Sequence, residues 1–143
     1  MTTHVAPQAK DWYSAKETDV GYQKVIGYLP AAHGLTLAQN DTVQMVKVPI
    51  GSIVTDAVVM SGDLTNNATI AVGDLGVTNR YISATNHGAG SAVITNMNQP
   101  QAGVPYTYTA DDTIDILLAA GNPADNVAIA LIIGYLTGLD ITP

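Results

Sequence analysis

The sequence contains no cysteine, so neither a disulfide framework nor thiolate chemistry is open to it. Glutamate occurs once, at Glu17, and lysine and arginine together occur only five times, so the usual surface residues of helices are nearly absent. No apolar run approaches the roughly 20 residues that cross a bilayer. The longest, Val127 to Leu136, is about half that length. The opening segment, MTTHVAPQAKDWYSAKETDV, has neither the basic start nor the apolar stretch of a secretory signal. These absences predict a protein made in a cytoplasm and folded there without covalent staples.

What is present begins with acid. The net charge is −7, and it is unevenly distributed. Up to Lys24 the chain balances Lys10, Lys16 and Lys24 against Asp11, Glu17 and Asp19, whereas the remainder sets only Lys47 and Arg80 against nine aspartates. Affinity for nucleic acid comes mainly from cations that displace phosphate counterions, so a nucleic-acid partner is not expected. An acidic membrane surface is disfavoured for the same reason.

Threonine, valine, isoleucine, tyrosine, asparagine, glycine and aspartate dominate, which is the composition of short strands joined by tight turns. From Tyr22 onward apolar segments recur between turn residues: QKVIGYLP, DTVQMVKVP, SIVTDAVVM, NATIAVGD, NRYISAT, SAVITN, VPYTYTA, TIDILLAA and NVAIALIIGYL. Strict two-residue alternation places Ile114, Ile116 and Leu118 on one face. In the last segment Val127, Ile129, Leu131, Ile133 and Tyr135 face one way, and Ala128, Ala130, Ile132 and Leu136 the other. A strand apolar on both faces is either central in a sandwich or seated against another subunit. Eight or nine strands without a convincing helix predict an all-β fold, an antiparallel β-sandwich, of which the jelly roll is the commonest eight-stranded form. Residues 1–21 lack a core-forming pattern and read as an extended N-terminal arm, with 22–143 as the sandwich body. Within the arm, Trp12 and Tyr13 have the character of docking anchors, the alternative being a tail that folds back on its own domain.

Candidate chemistry is sparse. His4, His33 and His87 stand at no metal-ligand spacing, so no zinc site is expected. His87 lies in Asn86-His87-Gly88-Ala89-Gly90 and reads as a solvent-exposed loop residue. The aspartates Asp111, Asp112 and Asp115, with Asp63 and Asp74 at strand ends, raise the possibility of calcium. Aspartate at a turn, however, far more often hydrogen-bonds its own backbone. No serine occupies a nucleophile elbow, and the glycine-rich turns are too sparse to cradle a phosphate. The reading is therefore of a non-enzymatic protein without catalytic, cofactor or metal residues, in which replacing His87 or Asp74 by alanine matters little.

The succession Val48-Pro49-Ile50-Gly51, Ala71-Val72-Gly73-Asp74, Asn79-Arg80-Tyr81-Ile82 and Tyr108-Thr109-Ala110-Asp111-Asp112-Thr113-Ile114-Asp115 resembles small structural proteins of tailed bacteriophages that act as capsid cement or decoration proteins. The resemblance covers about Asp41 to Leu136. It implies a protein that binds the outer surface of an assembled head and stabilises it by bridging subunits of the major capsid protein, itself forming dimers or trimers. Trp12, Tyr13, Ile129, Leu131 and Ile133 are then the candidate capsid or subunit contacts, and the virion surface is the expected location. A fibre or surface module that binds a carbohydrate or receptor through a β-sandwich is the alternative.

Overall fold

The computed structural model describes residues 1–5, 21–99 and 105–138. Among these residues nine strands follow one another: β1 (Thr3–Val5), β2 (Gly21–Leu29), β3 (Thr42–Val48), β4 (Ile53–Ser61), β5 (Thr69–Gly73), β6 (Ile82–Asn86), β7 (Val93–Asn96), β8 (Asp112–Ala120) and β9 (Ile129–Thr137). They form two sheets, ordered β1-β3-β8-β5-β6 and β2-β9-β4-β7. The pairing is nested: β2 with β9, β3 with β8, β4 with β7 and β5 with β6, each antiparallel. Ladders between β4 and β9 and between β5 and β8 complete each sheet. A long hairpin wrapped over two sheets in this way is a jelly roll, and the expected fold class holds.

Alternation explains the core. From the first sheet Val43, Val48, Ile70, Val72, Ile114, Ile116 and Leu118 meet Leu29, Val54, Ala57, Val59, Ile129, Leu131 and Ile133 from the second. Each fully buried valine, leucine or isoleucine among them stabilises by about 1.5–3 kcal/mol. Gly27 is required where β2 passes over β3, because a Cβ there would lie 2.6 Å from the Met45 carbonyl oxygen. Register shifts break strict alternation at several points, two of which matter here, one between Gln44 and Val46 and a second between Val54 and Asp56. The second keeps Val54 and Ala57 in the core and turns Asp56 outward.

The start of the arm folds back on its own domain: Thr3–Val5 pair in parallel with Thr42–Gln44 and extend the five-stranded sheet. Asp41 fixes this addition by accepting from the Thr2 amide at 2.9 Å and pairing with His4 Nε2 at 3.2 Å. The rest of the arm, including Trp12 and Tyr13, lies outside the described residues. The expected strand at Tyr106–Thr109 reduces to a single bridge between Thr107 and Ile53, because Tyr106 and Tyr108 are drawn into the polar cluster described next.

Candidate interaction surface

The reactive-looking residues are occupied in holding loops together. His87 is fully buried, not exposed. Its Nδ1 lies 2.8 Å from Ser61 Oγ and its Nε2 3.1 Å from Thr95 Oγ1, so it bridges β4 and β7. Ser61 donates to the Gly62 carbonyl at 2.8 Å. The imidazole N–H at Nδ1 therefore donates to Ser61, and Nε2 accepts from Thr95. Burial lowers the affinity of His87 for a second proton. The serine is not activated as a nucleophile in this arrangement; its proton is committed to a carbonyl.

Asp74 is likewise more than a turn cap. It is 2% exposed and accepts from the amides of Gly76 and Val77 at 3.0 and 2.7 Å. Arg80 Nε donates to it at 2.5 Å, and the Tyr108 hydroxyl at 3.0 Å. The Tyr81 hydroxyl sits 2.7 Å from that of Tyr108, and since Tyr108 donates to Asp74, Tyr81 donates to Tyr108. Burial raises the pKa of both phenols, so the relay stays protonated. Arg80 also covers the Tyr106 ring at 3.7 Å from its centroid, and Tyr106 meets Tyr108 edge to face at 4.9 Å. The Gly51 amide donates to the Tyr108 carbonyl at 2.7 Å, and the Ile50 amide to Asp111 Oδ1 at 2.8 Å. Three loops at one end of the sandwich are thus braced on one polar cluster.

The other aspartates resolve individually. Asp63 caps its turn by accepting from the Thr65 and Gly90 amides. Asp115 lies on the face of β8 turned away from the core, opposite Gln44 and Gly73, yet it is 4% exposed and its Oδ1 has no hydrogen-bond partner. Burial pushes its carboxyl up to about 7, and the Asp112 and Asp74 carboxylates act in the same direction, against a hydrogen bond from Thr113. Among the described residues no group of three or more histidines, aspartates or glutamates converges as a metal site.

The surface that stands out is apolar. The expected contacts Ile129, Leu131 and Ile133 are fully buried in the chain's own core and cannot reach another subunit; the opposite face of the same strand is the one turned outward. Its residues continue in register across the four-stranded sheet. One row runs Tyr28, Ala130, Met60, Ile94, and the next Ile26, Ile132, Val58, Asn96. Beyond them lie Lys24, Gly134 and Asp56, then Tyr22 beside Leu136. Tyr22, Ile26, Tyr28 and Ile94 are 54%, 56%, 44% and 68% exposed. Gly134 leaves the space into which the Tyr22 ring folds; a Cβ there would overlap the tyrosine hydroxyl. A contiguous apolar patch on one sheet marks an interaction site more often than chance exposure does. The alternation of the final segment marks two apolar sets, and the packing of the two sheets decides which of them points out.

No protein-family profile matches the chain, and no curated protein does. Among solved structures, the fold is similar to chains in three bacteriophage capsids. In the capsid of Ralstonia phage GP4 the match has a TM-score of 0.75 at 17% identity and covers 97% of this chain and 100% of that one. In the capsid asymmetric unit of cyanophage Pam1 the TM-score is 0.59 at 24% identity, over 90% of this chain and 95% of that one. In the acidic stable capsid of Helicobacter pylori bacteriophage KHP30 it is 0.57 at 17% identity, over 83% and 95%. At such identities the likeness is one of fold: the chain is built as a small jelly roll, as are chains within these phage capsids.

Proposed function

We propose that the chain is a capsid cement protein, which binds the outer surface of an assembled phage head and bridges subunits of the major capsid protein. The observation that carries this reading is the near-complete, two-way overlap with a chain in the GP4 capsid, 97% of one and 100% of the other. A match that consumes the whole neighbour means that the neighbour is a chain of about this size rather than one domain of a larger subunit.

Charge supports the outer location. A body with two cations against nine aspartates is repelled by packaged DNA and tolerates only a surface remote from it. The braced loop end supports a contact role as well, because Ile50, Leu75 and Val77 project from it into solvent on loops that the Asp74 cluster holds in place. Apolar tips on rigid loops bind without a large ordering cost.

A bridging protein acts by mass action, stabilising the assembled shell in proportion to its occupancy. Heads stripped of the protein should therefore release DNA at a lower temperature than decorated heads, and adding back the purified protein should restore the difference without chemical change to the capsid. Trp12→Ala in the arm should weaken that restoration, since loss of an aromatic anchor typically costs more than about 1 kcal/mol. Equal melting of stripped and decorated heads would refute the cement reading and favour a receptor-binding module.

A further inference from the structure

We infer that Asp115 is a proton latch for the loop between β5 and β6: with its carboxyl protonated, residues 74–80 lie closed over β5, and its ionisation shifts the loop towards an open form.

The geometry puts the carboxyl beside the place where this loop folds back. Asp115 on β8 stands opposite Gly73 on β5. Residues directly opposite in a ladder share a face, here the one turned away from the core. On that face of Gly73 the chain returns over its own strand, because a Cβ there would overlap the Val77 carbonyl and the Thr78 backbone. The returning chain is closed by bonds of its own. The Val77 carbonyl accepts from the amides of Asp74 and Arg80, and Asp74 Oδ1 accepts from those of Gly76 and Val77.

Asp115 takes part in none of these bonds. It is almost wholly buried, and its Oδ1 has no hydrogen-bond partner. A protonated carboxyl tolerates such a place, whereas a carboxylate lacks the water or donors it requires. The charged groups around it, among the described residues, come from each neighbouring element. Asp112 on its own strand and Asp74 at the foot of the loop both repel a charge on Asp115. On β3 the residue opposite is uncharged Gln44, and Lys47 lies further along the same face, opposite Thr113. On this face β5 presents only Ala71 and Gly73. Arg80, the cation of the loop, is committed to Asp74. Burial and the two carboxylates outweigh a hydrogen bond from Thr113 and push the carboxyl up to about 7.

Lifting the loop admits water to Asp115 while the sandwich stays folded, and a solvated aspartate ionises near pH 3.9. Between the two values each pH unit favours the open loop about tenfold, and the gain levels off above about pH 7. The moving part carries Leu75 and Val77, which project into solvent. The cement reading gives these tips a contact on the shell, and the use of the latch rests on that reading; the latch itself rests on the geometry around Gly73.

The purified chain tests it without any particle, so its failure is separate from that of the cement reading. Amide hydrogen exchange followed by NMR reports the opening of Gly76, Val77 and Arg80. Corrected for intrinsic rates, their protection should fall about 100-fold from pH 5 to pH 7 and then level off. Urea below the unfolding transition should leave these amides unchanged while it speeds exchange in β8 and β9, because a local opening exposes little surface. Asp115→Asn should abolish the fall. Asp112→Asn keeps the acceptor of the Thr113 amide but removes one repelling charge, so the fall should end at a lower pH. Should Asp115→Asn fail to fold, the wild-type profile and Asp112→Asn decide. Protection that is flat with pH in the wild type overturns the inference. So does an undiminished fall in Asp115→Asn, an unmoved end point in Asp112→Asn, or a urea dependence equal to that of the core strands.

Discussion

Burial of Asp115 should make the stability of this protein fall as the pH rises from about 4 to about 7. An unfolded aspartate ionises near pH 3.9, whereas burial pushes the folded carboxyl up to about 7. Between those values the native state binds a proton that the unfolded chain has lost, so the folded state is progressively penalised as pH increases, and the penalty is complete above about pH 7. Three units at 1.36 kcal/mol each set its ceiling at about 4 kcal/mol. At about pH 5 the penalty is on the order of 1–2 kcal/mol, leaving about 2–3 kcal/mol to appear between pH 5 and pH 8. Asp115→Asn keeps the shape and removes the titration. Its amide leaves the orphaned Oδ1 position unsatisfied or not according to its rotamer, a contribution that does not change with pH. The measurable quantity is therefore the difference in slope. Thermal melts of wild type and Asp115→Asn in matched buffers should diverge as pH rises, by about 5–10 °C across that range for a domain of this size. Parallel pH profiles would show that Asp115 is solvated, or charged and compensated, in the native protein, and would refute the reasoning.

Three further outcomes follow from the interior polar groups and the tight glycines. Asp74→Ala leaves Arg80 without its carboxylate and the Tyr108 hydroxyl without its acceptor; denaturant titration should show a loss of about 3–5 kcal/mol, and retention of full stability would disprove the bracing role. His87→Gln should cost about 1–3 kcal/mol at neutral pH through the partners on Ser61 and Thr95. Because burial lowers the folded pKa of His87, the wild type should lose stability as pH falls below about 6.5, where only the unfolded chain takes up the proton, and the variant should lack that acid slope. Gly27→Ala drives a methyl into the Met45 backbone and should destabilise by about 2 kcal/mol or more, whereas Gly134→Ala displaces only the movable end of Tyr22 and should cost under about 1 kcal/mol. Equal melting temperatures for the two glycine variants would contradict this distinction.

The fold class is legible in local pattern. Two-residue alternation specifies which side chains of a strand share a face, and turn residues specify where strands end, so β2, β3, β4, β5, β8 and β9 appear within a few residues of their expected bounds. These are local properties, set by the geometry of one strand. The acidic charge of the body and the doubly apolar last strand were equally plain, since composition and period suffice to state them.

Tertiary structure alone decided what depends on distant partners. Alternation divides Ile129, Leu131 and Ile133 from Ala130, Ile132 and Leu136 but cannot say which set meets the opposite sheet; only the packing of the two sheets does. His87, flanked by glycine-rich chain, looked solvated because nothing nearby in sequence announces Ser61 and Thr95, 26 and 8 positions away. Asp74 likewise gains Tyr108 from 34 positions away, and that pairing takes Tyr106–Thr109 out of a regular strand despite its clean period. The arm joined the first sheet at Thr3–Val5 because β3 offered an unpaired edge, which exists only once β8 has paired on its other side. The bulge between Val54 and Asp56 is the clearest case. A strict alternation from Val54 would send Asp56 into the core, and one extra residue, accommodated because the desolvation of a lone carboxylate costs more than a local loss of ladder hydrogen bonds, turns it outward to stand level with Lys24.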